Sequence, residues 1–212
     1  MSGYEVARFD ELESIPVAEG LVWHPIRRRL GIAAFGMNAY TAEEVGGHVV
    51  ERHSEEQLGH EEVYIVVNGR AHFILGGEEL DAPAGTIVFI REPGIQREAI
   101  AEEPATLVLA VGGKPGAAYE TSAWETMFYA LPASREGRWD DAIALHEEAL
   151  RERPSHAALL YNLACMENRG GRTKDALLHL QQAVELESRW ARDAQTDTDL
   201  DAIRGEPGFP AL

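Results

Sequence analysis

The chain has 212 residues, room for two small domains, and 36 acidic against 19 basic side chains give a formal net charge of -17. A field of that sign repels phosphate backbones and anionic lipid, so nucleic acid and membrane surfaces are excluded as expected partners. The single cysteine, Cys165, cannot close an internal disulfide, the N-terminus lacks a basic flank ahead of an apolar run, and no stretch approaches the ~20 apolar residues of a membrane span, so a cytoplasmic setting is expected.

From about residue 20 to 111, short β-branched or aromatic runs alternate with turn signals, as in a sandwich or barrel. The acidic stretch 46–61, with His48, His53 and His60, reads as a polar loop facing water. Val63-Tyr64-Ile65-Val66-Val67 and Arg70 to Leu75 flank Asn68-Gly69, the strongest short hairpin signal, because both turn residues must take positive φ. Gly76-Gly77 turns the chain into Glu78-Glu79-Leu80-Asp81. Further strands are predicted at Thr86–Ile90 and Thr106–Val111. The break Val111-Gly112-Gly113-Lys114-Pro115-Gly116 then separates an N-terminal domain, 1–113, from a helical one, 117–212.

Beyond that break two segments recur at a spacing of 34 residues, Gly137-Arg138-Trp139-Asp140-Asp141-Ala142 and Gly171-Arg172-Thr173-Lys174-Asp175-Ala176. Leu159, Leu160, Leu163 and Ala164 fall at helical spacing, as do Ala176, Leu177, Leu180, Ala183 and Val184. Ser155 is the expected N-cap of the first of these helices and Gly170-Gly171 its end. Pro132 is expected to break the helix before it. Cys165, among apolar positions with no base beside it, reads as an inert buried thiol.

Glu62, followed by six residues and then Gly69, together with Gly85 leading to Pro93-Gly94, resembles the two motifs of the cupin family over about residues 20–113. The resemblance implies a β jelly roll that holds ligands or metals inside the barrel. It also implies a metal site built from a His-x-His pair ahead of the glutamate and a histidine after the second-motif glycine. Here Glu55, Glu56, Gln57 and Leu58 stand at the first place and Gln96 or Arg97 at the second. A guanidinium is always charged and has no lone pair for a metal. The helical half resembles the tetratricopeptide repeat, with small residues paired at Ala130 and Ala164, Ala142 and Ala176, Ala149 and Ala183, and Pro154 ending the first unit. Two repeats are fewer than a free-standing stack needs, so something must cover them. The jelly roll, a second copy, or the tail 196–212 with Leu200, Ile203, Phe209 and Leu212 would serve.

The expected architecture is therefore α+β and multidomain: a cupin-type jelly-roll barrel followed by a helical repeat pair. The expected function is a non-catalytic binding or assembly module with no cofactor. Glu62, Tyr64, Phe73, Gln96 and Arg97 line a small-molecule site in the barrel, or Arg97 and Glu62 form a structural ion pair across it, and a homodimer is anticipated. Trp124, Met127, Leu131, Tyr161 and Arg169, with Ala158, Cys165 and Asn168, face a protein or peptide partner. The alternative is a metal-dependent enzyme (dioxygenase, isomerase or lyase) on a small polar substrate. Its divalent iron, manganese, nickel, copper or zinc would be held by His53, His60 and Glu62.

Overall fold

Asn68-Gly69 does not close a hairpin. In the computed structural model, which describes residues 5–17 and 20–211, the strand before it, β5 (Glu61–Asn68), and the strand after it, β6 (Arg70–Leu75), belong to different sheets. Gly69 alone takes positive φ, at 73°, so the two-residue turn that pairs neighbouring strands cannot form. The corner is held by Thr106 instead. Its Oγ1 accepts from the Arg70 N–H at 3.3 Å and donates at 2.7 Å to the Glu103 carbonyl, and the Asn68 side chain donates to the Ala105 carbonyl at 2.8 Å. The two-residue hairpin is Gly76-Gly77, where both residues take positive φ, 60° and 94°, and join β6 to β7 (Glu78–Pro83) with Leu75 opposite Glu78.

The remaining strands are β1 (Ile15–Pro16), β2 (Leu21–His24), β3 (Gly36–Ala42), β4 (His48–His53), β8 (Ile87–Ile90), β9 (Arg97–Ala101) and β10 (Thr106–Gly113), with one short helix, α1 (Ile26–Leu30). They form two antiparallel sheets, ordered β1-β2-β3-β10-β5-β8 and β4-β9-β6-β7. Apart from β1-β2-β3 and the β6–β7 hairpin, neighbouring strands come from distant parts of the chain, the mark of a jelly-roll sandwich. The stretch read as a water-facing loop is in part strand β4. Val49 and Val50 carry it into the core, and His48 meets Glu98 of β9 at 2.9 Å. Between the sheets lie Val49, Val50, Tyr64, Val66, Phe73, Val88, Ile90 and Val108, with Ala71, Ala82, Ala99 and Ala101 on the smaller sheet. The alanines leave space for the Tyr64 and Phe73 rings, whose centroids are 5.9 Å apart.

A second unit, Ser122–Leu212, follows the first, Met1–Thr121. It holds α2 (Ala123–Arg135), α3 (Trp139–Glu152), α4 (Ala157–Arg169), α5 (Thr173–Leu186) and α6 (Arg189–Ala194), ending in a 3-10 turn at Thr198–Ile203. Each helix of the α4–α5 hairpin begins and ends 34 residues after its counterpart in α2–α3. The linking turns match as well. Gly137 and Gly171 take φ of 70° and 78°, and Arg138 N–H bonds Ala133 O as Arg172 N–H bonds Glu167 O, at 2.9 and 2.8 Å.

Two expectations at helix ends are corrected. Pro132 lies in the last turn of α2 and does not break it: its missing N–H forfeits a single bond, and the Glu136 N–H still reaches the Pro132 carbonyl. The N-cap of α4 is His156, not Ser155; the imidazole accepts from the Leu159 N–H at 3.4 Å. Among the described residues no helix is long and apolar enough to cross a membrane.

Candidate ligand site in the β-sandwich

The inner face of β5 is fixed by alternation, so Glu62, Tyr64 and Val66 point the same way. On β9 the same rule turns Arg97, Ala99 and Ala101 inward and leaves Gln96 outside. The expectation that Gln96 lines the barrel is thus corrected: its side chain is exposed, and only its carbonyl takes part in structure, accepting from the Gly76 N–H at 2.8 Å. Phe73 is wholly buried and packs on Tyr64, so its role is to wall the site.

Glu62 is the hub. Its Oε2 accepts the Tyr64 hydroxyl at 2.6 Å and lies 3.4 Å from Arg97 Nη1 and 3.7 Å from His53 Nε2. Gly112 lets β10 pass this close, since a Cβ there would stand 2.9 Å from Glu62 Cγ. Glu55 completes the group. Its backbone N–H and Arg97 Nη2 both donate to the Pro93 carbonyl, at 2.9 and 3.3 Å. Its carboxylate lies 3.7 Å from His53 Nε2 and 3.1 Å from His60 Nδ1.

The charges shape one another. Burial pushes Glu62 upward, but the contacts with His53, Tyr64 and Arg97 outweigh it and hold the carboxyl below its usual range. Burial pushes His53 down, yet Glu62, the Glu51 carbonyl and Glu55 together raise it. Tyr64, buried against the Glu62 carboxylate, is driven well above the ordinary phenol value and keeps its proton.

Donor atoms of His53, Glu55 and Glu62 all lie within 4.8 Å of one another. The trio expected from the sequence was His53, His60 and Glu62, and His60 is displaced from it. Strand β5 begins at Glu61, so the alternation that would have put His60 on the face of Glu62 does not extend to it. His60 reaches Glu55 instead. The residue missed was Glu55, and its signal was present: His53-Ser54-Glu55 is a ligand-x-ligand pair with glutamate in place of the second imidazole, set further ahead of Glu62 by the turn that Glu55 closes with Leu58 and Gly59.

In the helical unit, three of the five residues expected to face a partner are already engaged: Trp124 by the Phe128 ring of its own helix, at 5.3 Å, and, with the tail, Tyr161 and Arg169. Tyr161 donates to Asp197 at 2.8 Å and stacks on Trp190 at 4.4 Å, and Arg169 lies 3.7 Å from Asp199 and over the Trp139 ring. For these two the cause is the chain's own tail. Leu200 and Ile203 are fully buried in one cluster with Leu160, Tyr161, Ala164 and Cys165, while Asn168 donates to the Asp199 carbonyl at 2.6 Å. Leu212 lies outside the described residues. Burial and the neighbouring Asp197 and Asp199 push the Cys165 thiol far up, so it stays protonated. Trp124, Met127 and Leu131 of α2 are half-buried.

No protein-family model matches the chain, and no curated protein matches it. Solved structures similar to the N-terminal half include KdgF from Halomonas sp., at 17% identity over 55% of this chain and 94% of that one with a TM-score of 0.42. A cupin protein from Bacteroides fragilis is 18% identical over 57% of this chain and 93% of that one, TM-score 0.41. A sugar phosphate isomerase of the cupin superfamily from Silicibacter pomeroyi is 16% identical over 56% and 83%, TM-score 0.44. By its own strand order the N-terminal half is a cupin-type β-sandwich, and a region of packed helices follows it.

Proposed function

We propose that the β-sandwich is a binding module for a small polar molecule bearing carboxylate or similar anionic oxygens, with Arg97 as the anchor. The observation that carries this is the guanidinium itself. Arg97 is fully buried, and neither its Nε nor its Nη1 makes a hydrogen bond among the described residues. Arg97 Nη1 is paired with Glu62 at 3.4 Å without a hydrogen bond, and a buried donor left without one costs about 1–3 kcal/mol and more when charged, so the guanidinium keeps donors for a ligand. Glu55 Oε2, buried beside His60 Nδ1 at 3.1 Å but without a hydrogen bond, keeps acceptor capacity for a ligand hydroxyl. His53, a third exposed at 34%, gives the cluster its contact with solvent. Titration calorimetry with a panel of hydroxycarboxylates and sugar acids tests the idea. Binding by at least one of them, abolished in Arg97→Met, is expected; no binding across the panel, or binding that survives Arg97→Met, overturns it.

A second reading draws on the converging donors. One imidazole and two carboxylates suit a divalent cation, which would supply Lewis-acid chemistry to the alternative enzyme. Against it, Arg97 already places a positive charge on Glu62 Oε2. Elemental analysis of the purified protein separates the two: stoichiometric metal lost on His53→Ala supports the enzyme.

The helical unit, on this proposal, is of tetratricopeptide type. The 34-residue register of helices and turns supports that assignment. Because the tail fills the face of α4, a protein contact falls to α2, through Trp124, Met127 and Leu131. Self-association draws support from edge strand β8, where Ile87 and Phe89 are 67% and 48% exposed. Sedimentation of wild type against Ile87→Lys tests it, a dimer that becomes monomeric being the expected result.

A further inference from the structure

Two members of the barrel cluster, Glu55 and His60, sit on the excursion between β4 and β5. One side of that excursion is tied to the sandwich by the Glu55 N–H bond to the Pro93 carbonyl. Its other side meets the segment that leaves β10. There the aliphatic chain of Lys114 runs beside Gly59, close enough that a Cβ at 59 would touch it at 3.7 Å, and the Tyr119 ring lies 5.8 Å from the His60 ring at an angle of 31°.

Tyr119 is itself seated. The Arg27 guanidinium lies 5.8 Å from its ring centroid. A Cβ at Gly36 would stand 2.8 Å from the Tyr119 hydroxyl oxygen and 3.0 and 3.1 Å from two ring carbons. Gly36 does not take positive φ, so no demand of the backbone requires a glycine there. The close approach of the tyrosine does. One contact leads to the next: Gly36 seats Tyr119, Tyr119 packs on His60, and His60 Nδ1 lies 3.1 Å from Glu55.

We propose that Tyr119 is a positioning residue for the barrel site, acting through His60 to fix Glu55. This deepens the binding-site reading above and rests on it, but its test needs no ligand and so fails or succeeds separately.

The test compares full-length wild type, Tyr119→Phe, Tyr119→Ala and Gly36→Ala by amide hydrogen exchange and by the ring resonances of His60. In Tyr119→Ala and Gly36→Ala, exchange across residues 55–60 should quicken roughly tenfold and the His60 signals should shift. Tyr119→Phe, which keeps the ring, should leave both as in wild type. The β6–β7 hairpin is the internal control and should not change in any variant. Unchanged exchange over 55–60 in both disruptive variants, or equal acceleration in the control hairpin, overturns the proposal.

Discussion

Arg97 stands directly opposite His53 in the register of β9 and β4, and Glu62 from the other sheet reaches both through one oxygen, at 3.4 and 3.7 Å. A guanidinium and an imidazole thus share one carboxylate at the point where the sheets meet. The arrangement is balanced only while all three are present.

Removing one charge should therefore cost more than removing two. Arg97→Met leaves Glu62 buried without its guanidinium, and a loss of about 3–5 kcal/mol is expected. Adding Glu62→Gln should restore a large part of it. Urea unfolding of both singles and the double variant measures the coupling.

The corner at Gly69 should be the least tolerant glycine of the sandwich. With φ of 73° and a Cβ that would overlap Thr106 Oγ1, Gly69→Ala is strained and crowded at once. Thr106→Val should cost about 1–3 kcal/mol by stripping partners from Arg70 and Glu103. Thermal melts should rank Gly69→Ala below Thr106→Val, and Thr106→Val below wild type.

His179 meets Glu167 at 2.8 Å, and that bond, outweighing burial and reinforced by Asp175 on its own helix and Glu147 of α3, raises its pKa above the ordinary 6.5. A histidine raised on folding stabilises fully below 6.5, and that contribution fades as pH climbs through the higher folded value. His146 is opposite in sign. Burial lowers it, so the folded state is favoured above 6.5 and loses ground as pH falls. His179→Gln should flatten the alkaline side of the stability profile and His146→Gln the acidic side, read by denaturation at a series of pH values.

The tail protects Cys165. Leu200→Ala, at a fully buried position, should cost about 2–5 kcal/mol. Asp197→Ala, which removes the carboxylate beside the thiol, should make Cys165 react faster with a disulfide reagent at neutral pH. Equal rates in wild type and variant would show that the tail does not shield it.

What could be read from residues alone was what local rules dictate. The 34-residue register follows from periodicity, while Glu62, and Gln96 or Arg97, were pointed to by the resemblance to the two family motifs. Asn68-Gly69 misled because hairpin chemistry is local whereas the partner of β5 is chosen by Val108 and Ala110, far along the chain. Strand β4 was hidden because only Val49 and Val50 are apolar in it, the rest of its pairing being supplied by β9. Glu55 escaped for a related reason. Its distance from Glu62 in sequence reflects a turn whose closure no periodicity announces. Tyr161 and Arg169 were placed on the correct helix, but the segment that covers them folds back from beyond α6.

The crossing at Asn68 and Gly69 also sets an order of events during synthesis. Hairpin β6–β7 pairs neighbours and can form as soon as it leaves the ribosome, while β5, which meets β8 on one edge, must wait on its other edge for β10, the last strand of its unit. Until Thr106 to Gly113 emerge, β5 is a nascent segment with its inner edge unfilled, exposed to aggregation or to chaperones. The helices translated afterwards provide the interval in which that late closure can take place.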